Sequence, residues 1–358
     1  MQKLFSFFLI VLFATSTFAQ TGLQPLSQQE FVKLLYQVNG SAAKRGQLVE
    51  AIRKRGLGFE LTSGLRGLVA TKSGNDELLR RTLDEAVRRR ENPQAFTPPN
   101  EKEAADVLEK ARAATLAAVE EMPDFVVKQL VSRAYAYAKT NNWKPTDKLT
   151  IAVSYSAAKG ENYKVLAING APQPDDKSNF AYTQVGGTTS AGEFVTVLSS
   201  LFKPDSKTEF EAVDTDTLRG RRCIVYSFKV KRENSQQRIT SFDLIAQSTV
   251  SGYEGRLWID RENFRVLRIE QSATEIPRDF PVTAASRTIV YDWVTIADQK
   301  YLLPILSDVR LTARNRDQSI DSRNLINFRN YQRYGSEVKI LDDDTVVVED
   351  DKQQPKKP

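Results

Sequence analysis

From Asp124 to Tyr334 apolar residues tend to recur at every second position, and that period constrains the fold more than any other feature of the chain. It predicts a strand from Phe125 to Ser132, then strands at 149–156, 163–169, 209–213, 222–230, 239–245, 255–259, 264–271, 287–296, 301–313 and 324–334. Short polar turns such as Asp260-Arg261-Glu262-Asn263 separate them, so antiparallel neighbours are the economical topology. One helix interrupts the run at 191–202, with Phe194, Val195, Leu198, Leu201 and Phe202 apolar. In 222–230, Ile224, Tyr226, Phe228 and Val230 form the more apolar face, with Cys223, Val225 and Ser227 on the other.

Before Pro123 the period is about 3.6. Asn100 caps a helix whose stripe is Ala104, Val107, Leu108, Ala111, Ala118, Val119 and Met122, apolar on one side only and therefore in need of a packing partner. Asn92-Pro93 and Thr97-Pro98-Pro99 form a linker (93–100). Ahead of it, 27–90 reads as a small all-α unit. Ser27-Gln28-Gln29-Glu30 is a capping box, a second helix runs over 41–55, a turn of helix follows near 61–69, and Asn75 is the expected cap of a last helix carrying Leu79, Leu83 and Val87. Between Lys44 and Arg90 there are twelve Lys/Arg against six Asp/Glu, read either as a docking face or as the solvated side of amphipathic helices.

Residues 1–19 have the three parts of a secretory signal: Lys3, the apolar run 4–13, and Thr17-Phe18-Ala19 before the cut. The apolar run is too short to span about 30 Å of hydrocarbon, so no transmembrane anchor is expected after processing, and the destination is periplasmic or extracellular. Cys223 is the one cysteine, which rules out an intramolecular disulfide. The absence of histidine removes Ser-His-Asp and Cys-His arrangements and nearly every usual zinc or copper site. No enzyme activity, cofactor or metal is expected. A net charge of +6 points to anionic partners or to a merely solvated basic surface. Aromatic residues do not alternate with the basic ones, so no specific nucleic acid is expected.

Several local patterns resolve to structure rather than chemistry. Gly187–Gly192 has phosphate-loop glycine spacing, but Glu193 and Phe194 stand where Lys and Ser/Thr would be needed, which leaves a turn before a helix. Asp214-Thr215-Asp216 lacks the remainder of a calcium loop and reads as a strand-end turn. Cys223 has no neighbouring base to make it reactive. Asn39-Gly40-Ser41 serves as a helix cap as readily as a glycosylation acceptor. The acidic run Asp342-Asp343-Asp344 opens a charged tail, 342–358, expected to be disordered.

Gly255-Arg256-Leu257-Trp258-Ile259-Asp260 followed by Val266-Leu267-Arg268-Ile269-Glu270, with Val290-Tyr291-Asp292 and Tyr301-Leu302-Leu303-Pro304, resembles hairpins of the lipoprotein-localisation-factor family of LolA/LolB-like carriers over roughly 100–341. The resemblance implies an α+β fold: a curved antiparallel half-barrel with covering helices over 101–341, here preceded by the all-α module of 20–92, which lies outside the family pattern. It also implies a binding protein for lipid or lipoprotein acyl chains. Val107, Leu108, Phe194, Leu198, Leu201, Phe202 and Trp258 are the candidate lining of its cavity. The alternative is a non-enzymatic envelope scaffold that docks a protein partner through 27–90. N-terminal sequencing of exported protein should start near Gln20 or Thr21, and a retained Met1 would contradict the signal.

Overall fold

The computed structural model describes residues 24–334 apart from 39–40, 138–139, 141, 175–181, 195, 243–245 and 316–317. The expected signal at 1–19 and tail at 342–358 lie outside the described residues. Four helices open the fold: α1 (Gln28–Gln37), α2 (Ala42–Arg55), α3 (Ser63–Ser73) and α4 (Glu77–Glu91). The Ser27 capping box forms reciprocally with Glu30, satisfying two otherwise orphaned N–H groups. The third helix is longer than the single turn its sequence indicates. Asp76, not Asn75, caps α4, because Asn75 itself takes a left-handed φ of 57° and Asp76 Oδ1 accepts from Leu79 N at 2.8 Å. Their apolar sides meet in one small core of Leu26, Phe31, Leu35, Leu48, Ile52 and Leu79.

A turn at 93–96 leads to α5 (Glu101–Glu120), capped by Asn100. Then come β1 (Phe125–Tyr137), β2 (Lys144–Ser156), β3 (Gly160–Ile168), β4 (Ala171–Pro172), α6 (Thr196–Phe202), β5 (Glu209–Leu218), β6 (Arg221–Val230), β7 (Arg238–Phe242) and β8 (Ala246–Val250). The last five are β9 (Gly252–Asp260), β10 (Val266–Thr274), β11 (Val282–Ile296), β12 (Gln299–Asn315) and β13 (Gln318–Arg333). Helix α6 starts later than the 191–202 pattern indicates, since Glu193 and Phe194 form a turn ahead of it. Part of the 239–245 pattern, 243–245, lies outside the described residues.

Among the described residues eleven strands make one curved antiparallel sheet in the order β4-β3-β2-β1-β13-β12-β11-β10-β9-β6-β5, and β7–β8 form a separate ribbon. Most neighbours in space are neighbours in sequence, as the short turns require. Alternation gives the sheet two different faces. One face carries Ile224, Tyr226, Phe228, Leu257, Ile259 and Tyr291 and is covered by α5, α6 and the 182–194 segment. The backbones of β9 and β10 approach so closely at Gly255 that a Cβ there would lie 1.8 Å from Glu270 O.

The opposite face carries Asp214, Asp216, Arg256, Arg268 and Glu270, and the helical module docks on it through arginines of α2 and α4. Arg81 and Arg53 donate to the two oxygens of Glu270 at 3.2 and 3.3 Å. Arg88 donates to Asp216 at 3.2 Å, and Arg89 donates to Asp214 at 2.6 Å and to Thr215 O at 3.2 Å. In the middle, Arg268 bonds Glu85 of α4 while its guanidinium lies 3.7 Å from the centre of the Trp258 ring. Four of the twelve basic residues of 44–90, Arg53, Arg81, Arg88 and Arg89, therefore face the sheet of the same chain, which corrects the reading of the whole run as a solvated face.

Burial alone would raise the Glu270 carboxyl, but Arg81, Arg268 and Arg53 outweigh it and hold it at about 2. Its contribution to stability is thus complete above its ordinary value of 4.5 and is lost as the pH falls through about 2. Burial pushes the Glu85 carboxyl up against the pull of Arg268, with Asp216 and Glu270 adding to the rise. Truncating Arg268→Ala leaves the buried Glu85 carboxyl without its ion pair and should cost about 3–5 kcal/mol in denaturant unfolding. Across pH 4.5 to 2 the wild-type melting temperature should fall more than that of Glu270→Gln; parallel curves would refute the assignment.

Candidate functional site

The apolar stripe of α5 dictates where it lies. Val107 and Ala111 bury against the sheet face of β6 and β9, and Tyr226 Oη donates to Ala104 O at 2.7 Å. The helix is bolted at its first turn: Arg261 donates twice to Glu103 (2.6 and 2.9 Å) and once to Thr97 O (2.8 Å). Farther along, Arg265 donates to Ala114 O. Shorter α6 lies beside α5, with Leu198, Leu201 and Phe202 buried and Phe202 stacked on Phe210 at 5.6 Å between ring centres.

At the other end of this face Phe194 sits at 5.3 Å from both Phe125 and Phe328 and 6.4 Å from Tyr331. The segment around it is fixed by polar groups that rise from the sheet. Arg133 bonds both oxygens of Asp147 and donates to Gly186 O at 2.5 Å, and Asn324 donates to Thr188 O at 2.6 Å. Gly192 N donates to Glu161 Oε2 at 3.0 Å, which also accepts from the Tyr163 hydroxyl. Burial raises the Glu161 carboxyl, partly countered by the Tyr163 bond. Burial likewise raises the Tyr163 and Tyr182 hydroxyls, so both stay protonated, and Tyr163 keeps its donor role toward Glu161. This polar layer holds a cover in place, and Ser190 completes it by donating to Glu193.

With α6 and Phe194 packed down, the covered face is filled there by its own side chains. A groove of about 670 Å³ opens between the N-terminal half of α5, the 93–99 connection and β5. Phe96, Pro98, Ala104, Leu108, Phe210 and Tyr226 supply its apolar wall, and Val213, 40% exposed, stands at its mouth. Glu101, Glu211, Asp214 and Arg89 stand along the rim. Strand β5 is the last strand of the sheet, so one side of the groove is a free sheet edge.

Of the seven candidate residues, Leu108 lines the groove, while Val107, Leu198, Leu201 and Phe202 form the packed core behind it. Phe194 belongs to the second core over β1–β3 and β13. Trp258 is not on this face at all. Its β9 position alternates with Leu257 and Ile259, so it points to the module, fully buried, and donates from Nε1 to Asp216 at 3.0 Å. Phe96 and Phe210 escaped notice because each looks like an ordinary residue of a linker or a strand; an aromatic between Pro93 and Pro98 was the available signal. Cys223 is buried on the module side, where burial pushes its thiol up, away from reactive thiolate.

No family model matches the chain, and no curated protein matches it. Among solved structures, a DUF1329 family protein from Desulfovibrio piger is similar at 9% identity, over 64% of this chain and 95% of that one, with a TM-score of 0.29. MucB, solved in complex with MucA(peri), is similar at 10% identity over 61% and 93%, with a TM-score of 0.16. Superposition at this level fixes no residue correspondence. Among the described residues no helix is long and apolar enough to cross a membrane.

The division between groove and packed core has a direct consequence. Leu198→Asp places an unpaired charge in the filled core and should lower unfolding stability by several kcal/mol. A Leu198→Asp protein as stable as wild type would mean that the space under α6 is open.

Proposed function

We propose that the chain is an exported, non-catalytic binding protein that holds an apolar ligand, such as an acyl chain, in the groove between α5, the 93–99 connection and β5. The observation that carries this reading is the groove itself. Its 670 Å³ falls within the range of about 300–1,000 Å³ usual for ligand sites, and its wall is mostly apolar and continuous with the core under α5. Resemblance to half-barrel acyl-chain carriers points the same way, with one difference: the hollow opens beside α5 at the sheet edge rather than beneath α6. The sequence contains no histidine, which leaves a catalytic reading without its commonest acid–base group.

Docking of a partner through the helical module is the weaker reading. Arg53, Arg81, Arg88 and Arg89 are occupied by carboxylates of the same chain, so much of the basic surface that would recruit an anionic partner is already used.

An environment-sensitive fluorescent fatty acid should bind saturably to the full-length processed protein. Each methylene that enters the groove contributes about 0.8 kcal/mol, so affinity should rise about fourfold per added CH₂ and level off when the groove is full. Leu108→Asp should weaken binding at least about tenfold with an unchanged circular dichroism spectrum. A folded wild type that binds no acyl probe at any chain length would end this reading.

A further inference from the structure

We infer that the free edge of β5 is a strand-addition site, and that the groove beside it takes an extended polypeptide of alternating apolar and basic residues. This deepens the apolar-ligand reading and rests on it. Among the described residues β5 pairs with β6 alone, from Glu209↔Lys229 to Leu218↔Arg221. A sheet edge presents a row of unpaired N–H and C=O groups, which an added strand satisfies. Towards its end the edge is already occupied: Thr215 O accepts from Arg89 and Thr215 Oγ1 donates to Phe96 O at 2.9 Å. The stretch before that, Phe210–Val213, has no such cover among the described residues, and it lines the groove.

The groove supplies what edge pairing lacks, namely a place for side chains. Successive side chains of an added strand point to opposite faces, so every second one enters the groove against Phe96, Pro98, Leu108, Phe210 and Tyr226. The rim decides which polypeptide. Glu101 and Glu211 on the rim, and Glu209 at the start of β5, make no ion pair among the described residues. Asp214 is already neutralised by Arg89. A basic strand therefore gains Coulomb energy at the rim. A second copy of β5 is the wrong partner, because antiparallel self-pairing sets Glu209 and Glu211 against the same residues of the other copy. The register shift at Val213, between Ala212 and Asp214, limits the addition to about five residues.

The test uses a fluorescein-labelled peptide of about seven residues alternating lysine and valine, titrated by fluorescence anisotropy into the full processed chain. It should bind saturably and displace the fluorescent fatty acid. The same peptide N-methylated on alternate amides keeps every side chain but loses the edge hydrogen bonds, and should bind at least about tenfold more weakly. A glutamate–valine peptide, and Glu209→Lys/Glu211→Lys protein with the parent peptide, should show losses of similar size. Equal binding of the N-methylated and parent peptides overturns strand addition. Binding of the fatty acid without any peptide binding removes this inference and leaves the apolar-ligand reading standing; binding of neither removes both.

Discussion

The architecture depends on one buried cation. Arg268 lies flat on Trp258 and is ringed by Glu85, Asp216 and Glu270, so a charge that would be prohibitive alone becomes the point where helical module and sheet are joined. Its own burial works against the charge, yet Glu85, Glu270 and Asp216 raise its proton affinity. The same carboxylates hold arginines of the module, Arg53 and Arg81 on Glu270 and Arg88 on Asp216, while Asp214 holds Arg89. Through these contacts the module seals the polar face of β5, β9, β10 and β11 and directs the 93–99 connection across the end of β5.

That connection is what makes the groove. Phe96 is held at the sheet edge by Thr215, Arg261 ties Thr97 and Glu103 to the β9–β10 turn, and α5 then departs over the opposite face. A space remains where the chain passes from one face of the sheet to the other. Where α6 and Phe194 pack down, the covered face is filled by side chains, whereas this crossing gives access to an apolar wall. Thus a charged interface on one side of the sheet sets the geometry of an apolar site at its edge.

Much of this was legible in residue order. The period of two assigned Ile224, Tyr226, Phe228 and Val230 to one face and Cys223 and Val225 to the other, as they stand in the fold. Caps at Ser27 and Asn100 were visible because a cap is a contact over three residues. What stayed hidden is long-range. Arg53 and Glu270 are 217 residues apart, and Arg88 and Asp216 are 128 apart, so no local window distinguishes their docking role from that of a solvated helix face. Trp258 is a cavity candidate because an indole can stack against a ligand, although its position in the alternation puts it on the module side. The edge position of β5 leaves no mark in its residues either, since strand order is decided by pairings far away in sequence.

The central claim is that ligand enters at the edge crossing and not beneath α6. Hydrogen–deuterium exchange of the full chain, with and without saturating fatty acid, locates the site directly. Added protection should concentrate in 96–108 and 209–215, with the already packed 196–202 helix unchanged. Protection centred on 196–202, with the groove segments unaffected, would contradict the account.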